Sequence, residues 1–440
     1  MKIPPHLVGL SKRDIIRRNI LLESRIDELE KQVEDLKRHL LAYENAHTPP
    51  SQKRNYPKRE KKEGAKLGTP KGHKGVTRQT PEPTEFKSLS LDCCPHCQNH
   101  LGKPKRIEKR IIEEIPDPQP LRIIEFSIPH YYCSYCNTEV IATDSELPKV
   151  GNLGNNLQAQ IALMRYEDRL PHRKIANTLN RQYGLLLTPA TIFDVTRRVC
   201  DQLLEIYNNF KQEMRNASQL NADETGAKVN GLKHWFWVFM SLTTVLFCLR
   251  KKRDYKVIIE VLGNDYGGIL TCDGLKQYAK VIKRIQRCWA HLIREAKFFA
   301  QKYEGQARVL YNSLCELFVK IKSVNVETTI EVRNKIFNDC IRDMQSYINT
   351  ARSYKELKKF AVTIENGLHQ WFTCILYPEI EPTNNRAERE LREFVVQRKI
   401  FGSLRSEKGM IITETIMSVL ATWKIRNLNT YSMLRATLSS

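Results

Sequence analysis

Two short apolar runs with the composition of β-strands lie in the middle of the chain. Two runs rich in β-branched and aromatic residues, His234–Met240 and Thr244–Leu249, are separated by a polar break that begins at Ser241. This pattern is typical of two hairpin-linked strands. We predict a further strand on either side of them, one carrying Asp223 and one ending at Asp273, just before a glycine. Because sites in α/β sheets form at the carboxyl ends of strands, the functional site is expected here.

A heptad pattern predicts a long helix from Ile15 to Tyr43. β-branched or apolar a positions with leucine at d favour a parallel two-stranded coiled coil. We therefore expect residues 1–47 to hold a homodimer or a higher oligomer together. The alternative is a single helix that packs on its own protein. The apolar a and d positions of the pattern are Leu22, Ile26, Leu29, Val33, Leu36 and Leu40.

Residues 149–215 are predicted to form a helix-turn-helix region. The apolar segment Ile175–Asn180 is followed by a break at Gly184, and Thr188 with Pro189 directly after it is typical of a helix start. Such a pair can place its second helix in the major groove of DNA, although the same geometry is common in ordinary helical bundles. The candidate DNA-binding residues of this region are Thr188, Thr191 and Arg197.

Helical patterns also dominate the last third of the chain. Residues 295–375 are charged, heptad-like and nearly free of glycine and proline, which predicts a helical insertion. A helix is predicted from Arg386 to Lys399, and residues 401–440 are expected to form a helical tail with an apolar helix around Ile411–Trp423.

The charge of the chain indicates a polyanionic partner. The formal net charge is +22 over 440 residues, and the sequence pI is about 9.5. Residues 48–80 are rich in proline, glycine and basic residues, which predicts a flexible linker that lies along DNA phosphates or serves as a solvated tether. No signal peptide or membrane-spanning stretch is visible, so a cytoplasmic, nucleoid-associated prokaryotic protein is expected. The basic candidates of the linker are Lys53, Arg54, Lys58, Arg59, Lys61 and Lys62.

Four of the twelve cysteines have the spacing of metal ligands. Cys94 and Cys97 form one pair, and Cys133 and Cys136 form another, at the ends of a hairpin whose strands are predicted at 106–115 and 121–132. Four thiolates suit tetrahedral Zn²⁺ with no open position, so residues 81–148 predict a structural zinc-binding unit. Cys93 could replace Cys94, and His96 or His130 could compete as ligands.

Three acidic residues far apart in the sequence are the candidate catalytic centre. Asp223, Asp273 and Glu388 would repel one another at one point unless cations held them, and two Mg²⁺ or Mn²⁺ ions fit carboxylate ligands. Such an ion pair supports displacement at a phosphodiester. With Asn385 as the N-cap, Glu388 could instead be part of a capping box. Glu224 is a rival to Asp223, but adjacent strand residues face opposite ways, so only one of them is expected to join Asp273.

The chain resembles the transposases of the insertion-sequence-66 family over nearly its whole length. The segments that carry the resemblance are Asp223-Glu224-Thr225, Cys272-Asp273-Gly274, Cys288-Trp289-Ala290-His291 and Asn384-Asn385-x-Ala387-Glu388-Arg389.

The resemblance implies a multidomain α+β protein with a ribonuclease-H-like catalytic core at 216–400. It also implies that Asp223, Asp273 and Glu388 are the acids of a metal-dependent reaction. In that reaction water frees a 3′ hydroxyl at the transposon end, and the hydroxyl then attacks target DNA. Accessory proteins of the same element are possible partners. The residues expected to help place a strand or a phosphate are Trp289, His291, Asn385 and Arg389.

Two other functions fit the same residues. A metal-dependent nuclease would cut DNA without joining it, and a zinc-containing DNA-binding regulator would need none of the three acids.

Overall fold

The amino-terminal part contains one long helix and one short hairpin. The structure, a computed structural model, describes residues 11–41, 81–113, 120–303 and 305–439. Helix α1 spans Lys12–Leu41, and strands β1 (His130–Cys133) and β2 (Thr138–Ile141) pair antiparallel. The chain divides into two units, residues 1–53 with 124–440 and residues 54–123.

The prediction of strands at 106–115 and 121–132 is wrong. Residues 106–113 and 120–129 contain no strand, and only the end of the second segment enters β1. The apolar residues that suggested a strand, Ile107 and Ile112 among them, are exposed. These residues therefore bury no face of a strand, and a strand needs packing on one face to be stable.

Three helices lie between β2 and the central sheet in the described part of the chain. They are α2 (Asn155–Tyr166), α3 (His172–Tyr183) and α4 (Pro189–Asn216). Gly184 ends α3 in the left-handed conformation, and the hydroxyl of Thr188 accepts the backbone N–H of Thr191 at 3.1 Å. The predicted cap and the proline in the first turn of α4 are confirmed.

A five-stranded mixed sheet forms the centre of the larger unit. Its members are β3 (Gln219–Val229), β4 (Leu232–Met240), β5 (Val245–Arg250), β6 (Ile269–Cys272) and β7 (Arg284–Arg287). The order is β5-β4-β3-β6-β7. Strands β3, β4 and β5 pair antiparallel, whereas β6 and β7 run parallel to β3. The predicted hairpin and the two flanking acid-bearing strands are confirmed.

Most of the following helices form a second hydrophobic core. Helix α5 (Tyr255–Leu262) connects β5 to β6. After β7 come α6 (Trp289–Lys302), α7 (Gln306–Lys322), α8 (Ile330–Arg352), α9 (Lys358–Glu365) and α10 (Thr373–Leu376). Short 3₁₀ helices span Tyr278–Lys280 and Leu368–Trp371. Side chains of α6 to α10 pack around the buried Trp289 and Trp371.

The last three helices are α11 (Asn385–Phe401), α12 (Glu407–Ile425) and α13 (Thr430–Ser439). The ring of Phe394 on α11 stacks on Phe236 of β4, with ring centroids 3.7 Å apart. None of the described helices is long and apolar enough to cross a membrane.

Helix α12 covers the edge of the sheet with polar side chains. Buried Thr422, Ser418 and Glu414 accept the backbone N–H groups of Val245, Phe247 and Leu249 at 3.0, 2.8 and 2.8 Å. A spacing of four residues on the helix thus matches a spacing of two on the edge strand. Residues 407–425 are therefore part of the core rather than a peripheral tail, and they protect an edge that would otherwise pair with other strands.

Candidate active site

The register of two parallel strands brings Asp223 and Asp273 together. Asn221 of β3 lies beside Thr271 of β6, and each aspartate follows two residues later. Their carboxylate oxygens lie within 4.8 Å of one another. Each carboxylate is oriented by a backbone N–H, from Glu224 to Asp223 at 2.8 Å and from Leu275 to Asp273 at 2.9 Å.

Glu224 joins the same cluster, so the expectation that only one of the neighbouring acids meets Asp273 is wrong. The carboxylates of Asp223, Glu224 and Asp273 all lie within 4.8 Å. Adjacent strand residues do point to opposite faces. However, Asp273 lies just beyond the end of the adjacent strand β6, where side chains from both faces of β3 can reach it.

The carboxylate of Glu224 is held by protein donors. Arg253 donates to one oxygen through Nε at 2.9 Å and through Nη2, and the hydroxyl of Tyr278 donates to the other oxygen at 2.7 Å. Nη2 of Arg253 also lies 3.9 Å from Asp273, and its guanidinium stacks over Trp235 at 4.7 Å. Glu224 thus holds the positively charged guanidinium of Arg253 beside the two aspartates.

Burial, and after it charge repulsion, raises the pKa values of the clustered acids. Burial raises the pKa of Asp223 well above its ordinary value, and the charges of Glu224, Asp273 and Glu388 raise it further. Burial and then Asp273 also raise the pKa of Glu224, against the opposing effect of Arg253. Carboxylates in this state favour any ligand that brings positive charge, and a divalent cation with oxygen ligands fits the donor set.

Glu388 lies beside this cluster in the first turn of α11. Its carboxylate, the thiol of Cys288 and the imidazole of His291 have ligand atoms within 4.8 Å of one another. Nδ1 of His291 lies 3.4 Å from Glu388, and Nη2 of Arg294 lies 3.9 Å away. Glu388 thus belongs to a second group of possible ligand atoms, separate from that of Asp223, Glu224 and Asp273. Its charge nevertheless raises the pKa of Asp223.

Asn384, which the sequence placed in a segment of the family resemblance but gave no role, joins α11 to the acid-bearing strand. It is fully buried. Its amide donates to the carbonyl of Ala222 at 2.8 Å and accepts from the side chain of Asn221 at 3.0 Å, while its backbone N–H contacts Sγ of Cys288 at 3.1 Å. Helix α11 begins at Asn385, so the expectation that Asn385 is the N-cap is wrong, and the cap position belongs to Asn384.

The expected helper residues lie in different environments. Trp289 is fully buried, and its indole N–H donates to the carbonyl of Trp371 at 2.5 Å. This position does not fit the expected role in placing a DNA strand. His291 contacts Glu388, whereas Asn385 and Arg389 are exposed on α11.

The predicted DNA-binding residues of the helix-turn-helix region lie at the start of α4. The hydroxyls of Thr188 and Thr191 hydrogen-bond each other at 2.9 Å. Arg197 forms ion pairs with Asp194 at 2.7 Å and with Asp201 at 3.0 Å. A phosphate would have to compete with both carboxylates for this guanidinium. The basic residues predicted between Lys53 and Lys62 lie outside the described residues.

Each predicted cysteine pair forms a tight turn. The sulfur of Cys94 accepts the backbone N–H groups of Cys97 and His96, which lowers its pKa. The sulfur of Cys133 accepts those of Cys136 and Tyr135, with the same effect on its pKa. N–H groups aimed at sulfur favour the thiolate form, which is the metal-binding form of cysteine.

A family model now gives these residues a context. The model described as "Transposase IS66 family" matches residues 151–411, more than half of the chain. The match includes Asp223, Asp273 and Glu388, whereas the four cysteines of the predicted zinc unit precede it. No curated protein matches the chain.

Proposed function

The chain belongs to the IS66 family of transposases, and on this premise we propose that it cuts DNA at the ends of a mobile element and joins them to target DNA. The family implies an α/β core of the ribonuclease-H type, binding to DNA and the use of divalent metal. The observation that carries the proposal is the convergence of Asp223, within β3, and Asp273, just beyond the end of β6, with the charge of Glu388 acting on Asp223.

Asp223, Asp273 and Glu388 are the proposed ligands of two Mg²⁺ or Mn²⁺ ions. Bound divalent ions would supply activation of the attacking oxygen and stabilisation of the leaving oxygen of the phosphodiester. The repulsion among the acids, seen in the raised pKa of Asp223, supports this assignment because bound cations relieve it.

Other residues of the site position these groups. Asn384 holds the first turn of α11 against β3, which keeps Glu388 near Asp223. His291 and Arg294 orient the carboxylate of Glu388. Arg253 is held by Glu224, whose other carboxylate oxygen accepts the hydroxyl of Tyr278, and it offers a positive charge to a phosphate held at the acids.

The remaining parts of the chain are proposed to serve assembly and DNA binding. We assign residues 1–47 to self-association, 48–80 to a basic linker, 149–215 to DNA binding, 216–400 to catalysis and 401–440 to the helical carboxyl terminus. Residues 81–148 are assigned to a zinc unit with Cys94, Cys97, Cys133 and Cys136 as ligands. The exposed apolar stripe of α1, from Leu22 to Leu36, supports self-association. The site of action is the cytoplasm, on nucleoid DNA.

A joining assay tests the proposed function. Purified full-length protein is incubated in Mg²⁺ or Mn²⁺ with labelled DNA ends from its own genomic neighbourhood and with a target plasmid. We expect cut ends and labelled plasmid that carries joined ends. Cut ends without joined plasmid would show a nuclease and overturn the transposase assignment.

A further inference from the structure

Beside the acid cluster lies a second group of metal-ligating side chains. Its members are Cys288, His291 and Glu388, whose ligand atoms all lie within 4.8 Å of one another. Cys288 directly precedes α6 and His291 belongs to its first turn, so the two side chains can share one face of that helix. Glu388 reaches them from the first turn of α11. The proposed reaction assigns no metal to Cys288 or His291.

The sulfur of Cys288 is held in place by backbone groups. The residue is fully buried. Its Sγ accepts the backbone N–H of Asn384 at 3.1 Å and also those of Ala290 and His291. Contacts of this kind orient a ligand atom before a metal binds. The sulfur therefore already has a fixed position beside the imidazole and the carboxylate.

The separation of the imidazole from the carboxylate fits a shared metal better than a direct hydrogen bond. Nδ1 of His291 lies 3.4 Å from Oε1 of Glu388, whereas an N–H···O hydrogen bond is typically about 2.9 Å long. Two ligands of a tetrahedral ion with bonds of about 2.0–2.1 Å lie about 3.4 Å apart. Both side chains are partly exposed, at 20% and 29%, so an ion can enter from solvent.

The donor set favours a borderline-soft divalent ion. A thiolate and an imidazole bind Zn²⁺ or Co²⁺ in preference to Mg²⁺, which takes oxygen ligands. The neighbouring group of Asp223, Glu224 and Asp273 offers carboxylates alone. The two groups are therefore suited to different metals. Three protein ligands also leave the fourth tetrahedral position open to water.

We propose that Cys288, His291 and Glu388 bind a Zn²⁺ ion beside the proposed Mg²⁺ centre. Zinc binds Oε1 of Glu388, and Oε2, which lies 3.9 Å from Arg294, remains for the Mg²⁺ ions. Zinc thus fixes the position of the glutamate that α11 supplies to the reaction. The binding of zinc goes beyond the proposed function, and only the sharing of Glu388 rests on that function.

The zinc content of matched variants tests the site. Full-length wild type, Cys288→Ser and His291→Ala are loaded with Zn²⁺ and dialysed against a weak chelator, and zinc per chain is measured by mass spectrometry. We expect each variant to retain about one zinc ion fewer than wild type, because two remaining ligands hold zinc weakly. The control Cys248→Ser removes an equally buried thiol on β5 and should match wild type. Zinc bound within residues 81–148 is common to all four proteins and cancels in the comparison.

Two further measurements identify the ligands and separate the site from the acids. With Co²⁺ in place of Zn²⁺, the spectrum of wild type minus that of His291→Ala should contain a thiolate-to-cobalt charge-transfer band and the visible absorption of a tetrahedral ion. Asp273→Asn removes a carboxylate of the proposed Mg²⁺ centre. It should retain the zinc content of wild type while losing cleavage.

Three outcomes would overturn the proposal. Wild-type zinc content in His291→Ala would leave the group as an ion pair beside a buried thiol. Loss of zinc by Asp273→Asn would place the ion on the acid cluster, and an equal loss by Cys248→Ser would trace it to a disturbed core. His291 is partly exposed, so its variant decides the matter if Cys288→Ser does not fold. If no DNA is joined but the zinc difference persists, the proposed function fails and the zinc site stands.

Discussion

At the scale of single residues, the carboxyl group of Asp223 opposes folding. Its raised pKa means that the folded protein keeps this proton to a higher pH than the unfolded chain does. The penalty is absent below the ordinary carboxyl pKa of 3.8, grows as the pH rises above it, and is complete above the raised value. A buried charge kept at such a cost is typical of a functional site.

We expect Asp223→Asn to stabilise the protein in the absence of divalent ions. The amide keeps an oxygen that accepts the N–H of Glu224 and removes the repulsion, so the free energy of unfolding at pH 7 should rise by on the order of 1 kcal/mol. The gain should disappear near pH 3.5, where both forms are neutral. Urea unfolding at the two pH values measures this, and a variant less stable than wild type at pH 7 would contradict it.

The sequence predicted the two aspartates because Asp223 lies on a predicted strand and Asp273 comes at the end of another. It could not predict that Glu224 joins them, since alternation along one strand says nothing about a side chain placed just beyond the end of the next strand. The cap was assigned to Asn385 because adjacent asparagines are equivalent in a local pattern. The two asparagines are distinguished by a distant contact, the hydrogen bond from Asn384 to the carbonyl of Ala222, 162 positions away along the chain.

At the scale of elements, the site depends on how α11 docks on β3. The amide of Asn384 makes the two hydrogen bonds that join them beside the acids. The packing of Phe394 on Phe236 supports the same helix further along.

We expect Asn384→Ala to lower both stability and activity. It leaves the buried carbonyl of Ala222 and the amide of Asn221 without their partner, which costs about 2 kcal/mol. It also loosens the helix start that carries Glu388. Asn385→Ala, which changes an exposed neighbour, is the matched control and should be close to wild type in urea unfolding and in strand cleavage. Equal effects of the two substitutions would contradict the assigned role of Asn384.

Element prediction succeeded where local pattern and packing agree. The hairpin β4–β5, the cap at Thr188 and the helical insertion follow from periodicity and turn residues. The segment 106–113 is rich in isoleucine, but its isoleucine side chains are exposed, so its composition misled. The role of α12 could not be predicted, because Glu414, Ser418 and Thr422 resemble surface residues until the edge strand that they cover is known.

At the scale of the whole molecule, a strongly basic chain surrounds a small acidic centre. The net charge of +22 favours a polyanionic partner, whereas DNA phosphates and the carboxylates of Asp223, Glu224 and Asp273 would repel each other. Bound divalent ions reconcile the two. DNA binding and metal dependence are then linked, and both the linkage and the reaction depend on Asp223, Asp273 and Glu388 acting together.

Strand cleavage by acid variants tests that account most directly. Asp273→Asn and Glu388→Gln are compared with wild type and with Glu390→Gln, a matched glutamate two residues along α11, on labelled element-end DNA in Mg²⁺. We expect Glu390→Gln to cut like wild type, and the other two to lose cleavage by roughly a thousandfold while binding DNA normally. Cleavage at the wild-type rate by Asp273→Asn or Glu388→Gln would contradict the account.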